Sequence, residues 1–403
     1  MSIGVNIIIN TLQILALLLT GLATLYIFLF SVAGLFYSQP VYTRAMRMRK
    51  IAVLIPGYKE DEVIIEAASD ALLQDYPAEM YDIVVIADSF RAETLEKLRH
   101  MPVKVIEVSF EKSTKAKALN KAMEHLDNSY EIAVVLDSDN LMTKNFLSMI
   151  NLSFERGMVA VQGHRTAKNM NTSLAVLDAI SEEINNHIFR KGHRVLGLSS
   201  AIIGSGMAFQ YPLFREVMSE VKAVGGFDKE IELRLLKDGY TIEYLSNAYV
   251  FDEKVQKEDV FHNQRRRWLS AQLHYFRKDF INALADLLLK GNVDYFDKAL
   301  QFIQPPRILL LGTVIIFGTA FLAINYLTKN SMVFSVIWGI VILLCLVSFL
   351  FSIPGQFYTI KTARALTSLP KGMVLMIRSL LKIKGANKSF LHTQHGNIDP
   401  EHK

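Results

Sequence analysis

The pattern of apolar and polar positions divides the chain into stretches of different period. Residues 14–36 read ILALLLTGLATLYIFLFSVAGLF, and no Asp, Glu, Lys or Arg precedes Arg44. At ~1.5 Å per residue, such a run makes about 34 Å of helix, enough to cross a bilayer. A cleaved signal peptide would have a shorter apolar core and a basic start. The run lacks both features and is read as an anchor over residues 1–43. Two further apolar runs cover residues 308–327 and 332–353, with only a few residues around Lys329 and Asn330 between them. They predict a helical hairpin over residues 307–354.

Between these runs the period changes. Short apolar runs at 51–56 (IAVLIP), 82–87 (DIVVIA), 103–108 and 131–136 (EIAVVL) alternate with helical stretches near 63–73 and 115–125. Strands alternating with helices predict a mostly parallel sheet covered on both faces. The ligand of such a sheet sits beyond the carboxyl ends of its strands. Three runs end in polar residues suited to that crevice: Pro56-Gly57-Tyr58-Lys59-Glu60, Asp88-Ser89 and Asp137-Ser138-Asp139. The soluble domain is assigned to residues 44–280. Residues 282–304 and 371–384 mix apolar and charged positions. They predict amphipathic helices that lie in the headgroup layer or pack on the domain. This gives an interfacial segment at 281–306 and a basic amphipathic tail at 355–403.

Composition agrees with a chain that is part soluble domain and part bilayer. Of 403 residues, 51% are hydrophobic and 21% charged, with a mean hydropathy of +0.24. The lone cysteine, Cys345, excludes an intrachain disulfide and argues against a cysteine metal site. The net charge of +5 is informative mainly through its location. Arg44, Arg47, Arg49 and Lys50 follow the first run. Lys361, Arg364, Lys371, Arg378, Lys382, Lys384 and Lys388 follow the third, with no acid before Asp399. The hairpin loop carries only Lys329. The positive-inside rule then places the central domain and the tail in the cytosol, with the N-terminus outside. No nucleic-acid partner is needed to account for the charge. No Asp, Glu, Lys, Arg or His lies within the three runs, which argues against a transporter pathway.

The Asp137-Ser138-Asp139 step carries the most chemistry. Two carboxylates just past a buried strand are costly to desolvate without a cation. Hard divalent ions take such oxygens and bind diphosphates. Asp139, with Asp137 nearby, is therefore a candidate Mg²⁺ or Mn²⁺ site. The chain has no G-x-x-x-x-G-K-[ST] loop and no G-x-G-x-x-G turn after its first strand, which argues against a P-loop NTPase and a dinucleotide dehydrogenase. It also has no G-x-S-x-G elbow and no His/Cys cluster at metal-ligand spacing.

With these residues in hand, residues 49–272 resemble the inverting family 2 glycosyltransferases, especially the membrane-integrated branch that includes cellulose and hyaluronan synthases. The resemblance implies a Rossmann-like GT-A fold. It implies that Pro56, Tyr58 and Glu60 hold the nucleotide base, that Asp88 contacts the nucleoside, and that Lys115, opening K-A-K-A-L-N, lies near the donor diphosphate. Asp137 and Asp139 match the D-x-D metal motif. Gln162-Gly163-His164-Arg165 and Gly204-Ser205-Gly206-Met207 resemble segments lining the pocket, with Arg165 on the donor side and Gly204, Ser205 and Gly206 on the acceptor side. Gln264-Arg265-Arg266-Arg267-Trp268 fits Q-x-x-R-W. Metal, Lys115 and Arg267 would stabilise the charge that develops on leaving UDP, and Trp268 offers a flat face to an acceptor sugar.

One departure stands out. The family's base is usually the aspartate of a T-E-D motif, and alignment on the following Ile231-Glu232-Leu233 puts Glu230 there. Asp228 is the competitor. The expected activity is metal-dependent, inverting transfer from a UDP-sugar to a saccharide acceptor. Q-x-x-R-W suggests processive polysaccharide synthesis, for which three spans are few, so self-association or a secretion partner is expected. The rivals are single addition to a lipid-linked acceptor (a polyprenyl phosphate or glycolipid) and an inactive scaffold subunit.

Overall fold

The structure is a computed structural model that describes residues 3–40, 45–330, 332–383 and 385. Arg44, Lys384 and Lys388, which enter the charge asymmetry, lie outside the described residues, as does most of the tail beyond residue 385.

The strands are β1 (Ile51–Tyr58), β2 (Tyr81–Asp88), β3 (Lys104–Val108), β4 (Ile132–Val135), β5 (Leu141–Met142), β6 (Ala160–Ala167), β7 (Met207–Gln210) and β8 (Ile242–Asp252). They form one sheet in the order β3-β2-β1-β4-β7-β6-β8-β5. β1 pairs in parallel with β2 and β4, β2 with β3, and β6 with β8, while β7 runs antiparallel to β4 and β6. The expected mostly parallel sheet is present. Its central strands read as continuous apolar runs because both faces are covered. Ala52, Leu54, Val84 and Ile86 enter one core layer; Ile51, Val53, Ile55, Ile83 and Val85 enter the other. Tyr58 lies level with Asp88 in the register, so the polar ends of β1 and β2 emerge side by side.

Three helices are long and apolar enough to cross a membrane. The first, Ile3–Gly34, begins well before the expected run. Polar Asn10 and Gln13 extend it because their side chains have partners in the hairpin. Gln13 and Asn325 exchange two amide bonds of 3.0 and 2.9 Å, and Asn330 donates to Asn10 Oδ1 at 2.8 Å. The hairpin helices are Arg307–Thr328 and Met332–Ser352. Lower down, Ser31 Oγ donates to the Ser348 carbonyl at 2.7 Å. Where apolar surface is matched on all sides, such polar bonds and close packing fix which helix faces meet.

The boundary drawn at residue 280 falls inside a helix. One helix, Glu258–Lys290, runs through it and ends where Gly291 adopts a left-handed φ of 69°, as a helix C-terminus favours. A short helix, Val293–Gln301, follows. The tail forms two helices, Ile360–Leu366 and Leu369–Leu381. The second keys onto the hairpin: Met373 fills the space a side chain at Gly312 would occupy.

The sheet domain is joined to the first long helix chiefly through the π-helical segment Asn186–Gly192, which continues the helix Ser173–Asn185. Val176, Ala179, Ile180 and Ile184 share one apolar cluster with Ala23, Ile27 and Phe30. Gly192 sits so close to the first helix that a Cβ would lie 2.1 Å from the Phe30 carbonyl oxygen. Behind this joint, Glu182 is buried among three cations. It accepts from Arg165 at 3.1 Å and Arg190 at 3.3 Å, and Lys254 lies 3.9 Å away. Burial alone would raise its pKa. Arg165, Lys254 and Arg190 outweigh that and hold it below the ordinary carboxylate range.

Two outcomes follow from this joint. Gly192→Val should destabilise the protein by at least about 1–3 kcal/mol, the usual cost of overpacking, read as a lower thermal midpoint in detergent. Glu182→Gln leaves buried cations uncompensated and should cost about 3–5 kcal/mol near neutral pH. Because the folded pKa is depressed, this contribution is present above the unfolded value, about 4.3, and fades as pH falls below it. The gap between wild type and Glu182→Gln in denaturant titrations should therefore narrow in acid.

Candidate active site

The carboxyl ends of β1, β2 and β4 open into one cavity of about 670 Å³. Pro56, Gly57, Tyr58 and Glu60 line it from β1, Asp88 from β2, and Asp137, Ser138 and Asp139 from the turn after β4. The Lys59 N–H donates to the Asp88 carbonyl at 3.0 Å, tying the first two strand ends together. Lys59 and Ser89 both adopt positive φ there, 56° and 61°, a costly conformation for side-chain-bearing residues. Asp88 itself is buried and accepts from Ser89 Oγ at 2.9 Å.

Lys115 opens the helix Lys115–His125, whose N-terminus faces the cavity and whose Thr114 cap accepts from the Lys117 N–H. Such an end favours anions. Lys115 Nζ ion-pairs with Asp137 and donates to the Gly204 carbonyl at 2.7 Å. Gly204 lines the cavity, but Ser205 and Gly206, expected at the acceptor, do not. Ser205 is fully buried, and its Oγ accepts from the Asp137 N–H at 2.9 Å. A Cβ on Gly206 would meet Val250 at 2.9 Å. These two residues support the Asp-Ser-Asp turn from behind.

Glu230 and its competitor Asp228 lie on different faces of one helix. The helix Phe227–Lys237 turns Asp228 and Glu232 toward the cavity, whereas Glu230 is absent from its lining. Its carboxylate instead takes Tyr275 Oη at 3.2 Å, Arg234 at 3.3 Å and Lys278 at 3.3 Å. The reason is helical geometry: at about 100° per residue, positions 228 and 232 share a face and 230 opposes it. Asp228 packs near Gly204, within 3.8 Å of where a Cβ there would sit. Glu232 is bound to Lys298 Nζ at 2.8 Å and accepts from the Ile202 N–H at 3.1 Å; burial pushes its pKa up despite that lysine.

Gln264, Arg267 and Trp268 come from the first half of Glu258–Lys290 and all line the cavity. Burial lowers the Arg267 pKa. Arg265 pairs with Asp178 and lies 4.3 Å over the Trp268 ring, which fixes the indole plane. Gln264 Oε1 is buried without a partner. Arg165 lines the cavity while held by Glu182 and by Asp252 at 3.7 Å. Burial opposes its charge, yet Asp252, Glu182 and Asp137 keep its pKa above the ordinary value.

The residues fit a Mg²⁺ or Mn²⁺ ion. Asp139 and Asp88 share the cavity, and Asp137 is engaged by Lys115. Among the described residues no cluster of three or more His, Cys, Asp or Glu could hold a metal alone. A hard ion that takes one or two carboxylates and completes its shell with phosphate and water matches that supply.

Several lining residues were not singled out from the sequence. Glu182, Arg190, Lys254, Glu232, Lys298 and Arg307 belong to no motif in the sequence, and only the fold gathers them. At its other end the cavity turns apolar, with Ile27 of the first long helix, Leu311 of the second and Phe349 of the third.

Among solved structures, the chain is similar to the mannosyltransferase PcManGT from Pyrobaculum calidifontis in complex with GDP-Man and Mn²⁺. The identity is 17%, covering 93% of this chain and 98% of that one, with a TM-score of 0.57. It is also similar to glucosyl-3-phosphoglycerate synthase from Mycobacterium tuberculosis in complex with Mn²⁺, uridine diphosphate and phosphoglyceric acid. There the identity is 15%, over 56% of this chain and 79% of that one, with a TM-score of 0.40. The first likeness carries the fold. The model of the family described as Glycosyltransferase like family 2 matches residues 49–271, more than half of the sequence, and the chain belongs to that family.

Proposed function

We propose that this chain transfers a sugar from a nucleotide-diphosphate donor, a UDP-sugar, to an acceptor hydroxyl with inversion. The observation that carries this reading is the single cavity that joins the strand-end acids, Lys115, Asp228 and the Gln264–Trp268 turn. The nucleotide lies along Pro56, Tyr58, Glu60 and Asp88. Asp139, with Asp137 or Asp88, holds Mg²⁺ or Mn²⁺, which when bound supplies charge neutralisation for the diphosphate. GDP-Man and Mn²⁺ in PcManGT are in keeping with that choice.

Lys115 and Arg267 face the negative charge that grows on the leaving diphosphate, and such fixed cations stabilise it without reorganisation. Asp228 takes the proton of the acceptor hydroxyl, whose oxygen attacks the anomeric carbon as the bond to the diphosphate oxygen breaks. Trp268 carries the acceptor sugar on its face. The catalytic domain, roughly residues 44–280 with the rest of its long helix, sits on the cytosolic side of the bilayer. The acceptor is a saccharide, extended processively with a homo-oligomer or secretion partner. A second reading, a lipid-linked acceptor, is favoured by the apolar continuation of the cavity against the long helices.

Asp139→Asn should lower transfer from a radiolabelled UDP-sugar by about 10²-fold or more, with membrane insertion intact; full turnover would remove Asp139 from the metal site. Asp228→Asn should cost about 10²–10⁴-fold, the usual worth of a general base, while Glu230→Gln should mainly lower stability. The reverse result would return the base to Glu230. A panel of UDP-sugars, with and without chelator, tests the donor and the metal together. No turnover or hydrolysis of any donor would favour the inactive-scaffold reading.

A further inference from the structure

The far end of the cavity holds a cation that the chemistry above does not use. Arg307 opens the helix Arg307–Thr328 and lines the cavity. Its guanidinium meets only neutral groups. Nη1 donates to Asn185 Oδ1, and Nη2 donates to Ser181 Oγ at 2.9 Å and to the Ser181 carbonyl at 3.3 Å. Nε is buried with no partner. The nearby acids are committed elsewhere: Asp178 pairs with Arg265, and Glu182 pairs with Arg165 and Arg190.

A cation taken out of water without a counter-ion is costly, and the cost is relieved by an anionic ligand. A guanidinium suits a phosphate in particular, because its planar fork matches the oxygens. The start of the Arg307–Thr328 helix adds its own positive end at the same place. Immediately beyond Arg307 the wall becomes apolar, through Ile308, Leu311, Phe349, Ile353 and Ile27, contributed by all three long helices. A cation with no ion-pair partner of its own, at the boundary between a polar cavity and an apolar cleft, suits an amphiphile with an anionic head. The same cavity holds Asp228 and Trp268, so the head lies on the path to the donor.

We propose that Arg307, with Ser181 and Asn185, binds the phosphate of a lipid-linked acceptor whose chain lies against the three long helices. This rests on the transferase reading and selects the lipid-linked acceptor over a soluble saccharide. The phosphate is a recognition group on a lipid-linked saccharide, and a hydroxyl of its sugar is the nucleophile of the step already described.

The test uses the full chain purified in neutral detergent. Native mass spectrometry compares binding of a polyprenyl phosphate with that of the polyprenol of equal length. The wild type should prefer the phosphate by about tenfold or more, as a charge-assisted pair implies. Arg307→Gln should bring the ratio close to one, and Arg307→Lys should restore part of it. Phosphatidylglycerol at equal concentration should not displace the polyprenyl phosphate. Three results would overturn the proposal: no preference in the wild type, an unchanged preference in Arg307→Gln, or equal competition by phosphatidylglycerol, which would make this a bulk-lipid headgroup site. UDP binding to the wild type with Mn²⁺ is measured alongside. Its loss with the phosphate preference intact would sink the transferase reading and leave the lipid site standing.

Discussion

Glu182 is the constraint on which the two halves of the molecule depend. A carboxylate buried at 5% exposure draws together Arg165 from β6, Arg190 from the π-helical segment and Lys254 after β8. Each partner belongs to a different element, so the acid fixes three backbone segments at one point. One side of that point carries the catalytic sheet, and the other carries the contact with the first long helix. Substitution by well-packed apolar residues can match such a network in stability. What an apolar replacement would not provide is orientation, because Arg165 and Arg190 also line the cavity.

The cavity is polarised along its length. Toward the strand ends, acids gather at Asp88, Asp137 and Asp139, where a divalent cation and a diphosphate would meet. Toward the long helices, Arg265, Arg267 and Arg307 gather instead. Two anionic substrates approaching from opposite ends would repel each other unless each met its own countercharge. The arginines provide fixed countercharge at one end, the preorganisation that makes such charges effective, whereas the acids at the other end would do so only through a bound divalent cation.

Much of this was legible in the sequence where chemistry follows a period. The continuous apolar runs gave β1, β2 and β4, and the polar residues at their ends marked Asp88, Asp137 and Asp139. The basic start of the helix at Lys115 and the Gln264–Trp268 turn were also readable, because local spacing places them. Alignment by identity does not carry helical phase, which separates the two acids it offered: positions 228 and 232 share the cavity-facing side and Glu230 lies opposite. A buried support and a lining residue look alike in one dimension, and Ser205 and Gly206 lie behind the cavity wall while Gly204 lines it. Glu182, Lys298 and Arg307 left no local signal, since their partners are distant in the chain. The first long helix begins ahead of the apolar run at residue 14, and Asn10 and Gln13 in that added stretch have their partners in the hairpin.

That amide pair also bears on how the protein is assembled. Gln13 and Asn325 are 312 positions apart. At ~5–20 residues per second of synthesis, about 15–60 s separate their appearance. During that interval the first long helix, inserted in a bilayer, holds an amide with no hairpin partner, while the whole catalytic sheet is made and can fold beside it. The hairpin is made last. In the folded chain the rotation of the first helix that meets Gly192 is also the one that turns Gln13 toward Asn325. The seating of the sheet domain and the closure of the hairpin are therefore coupled through one helix.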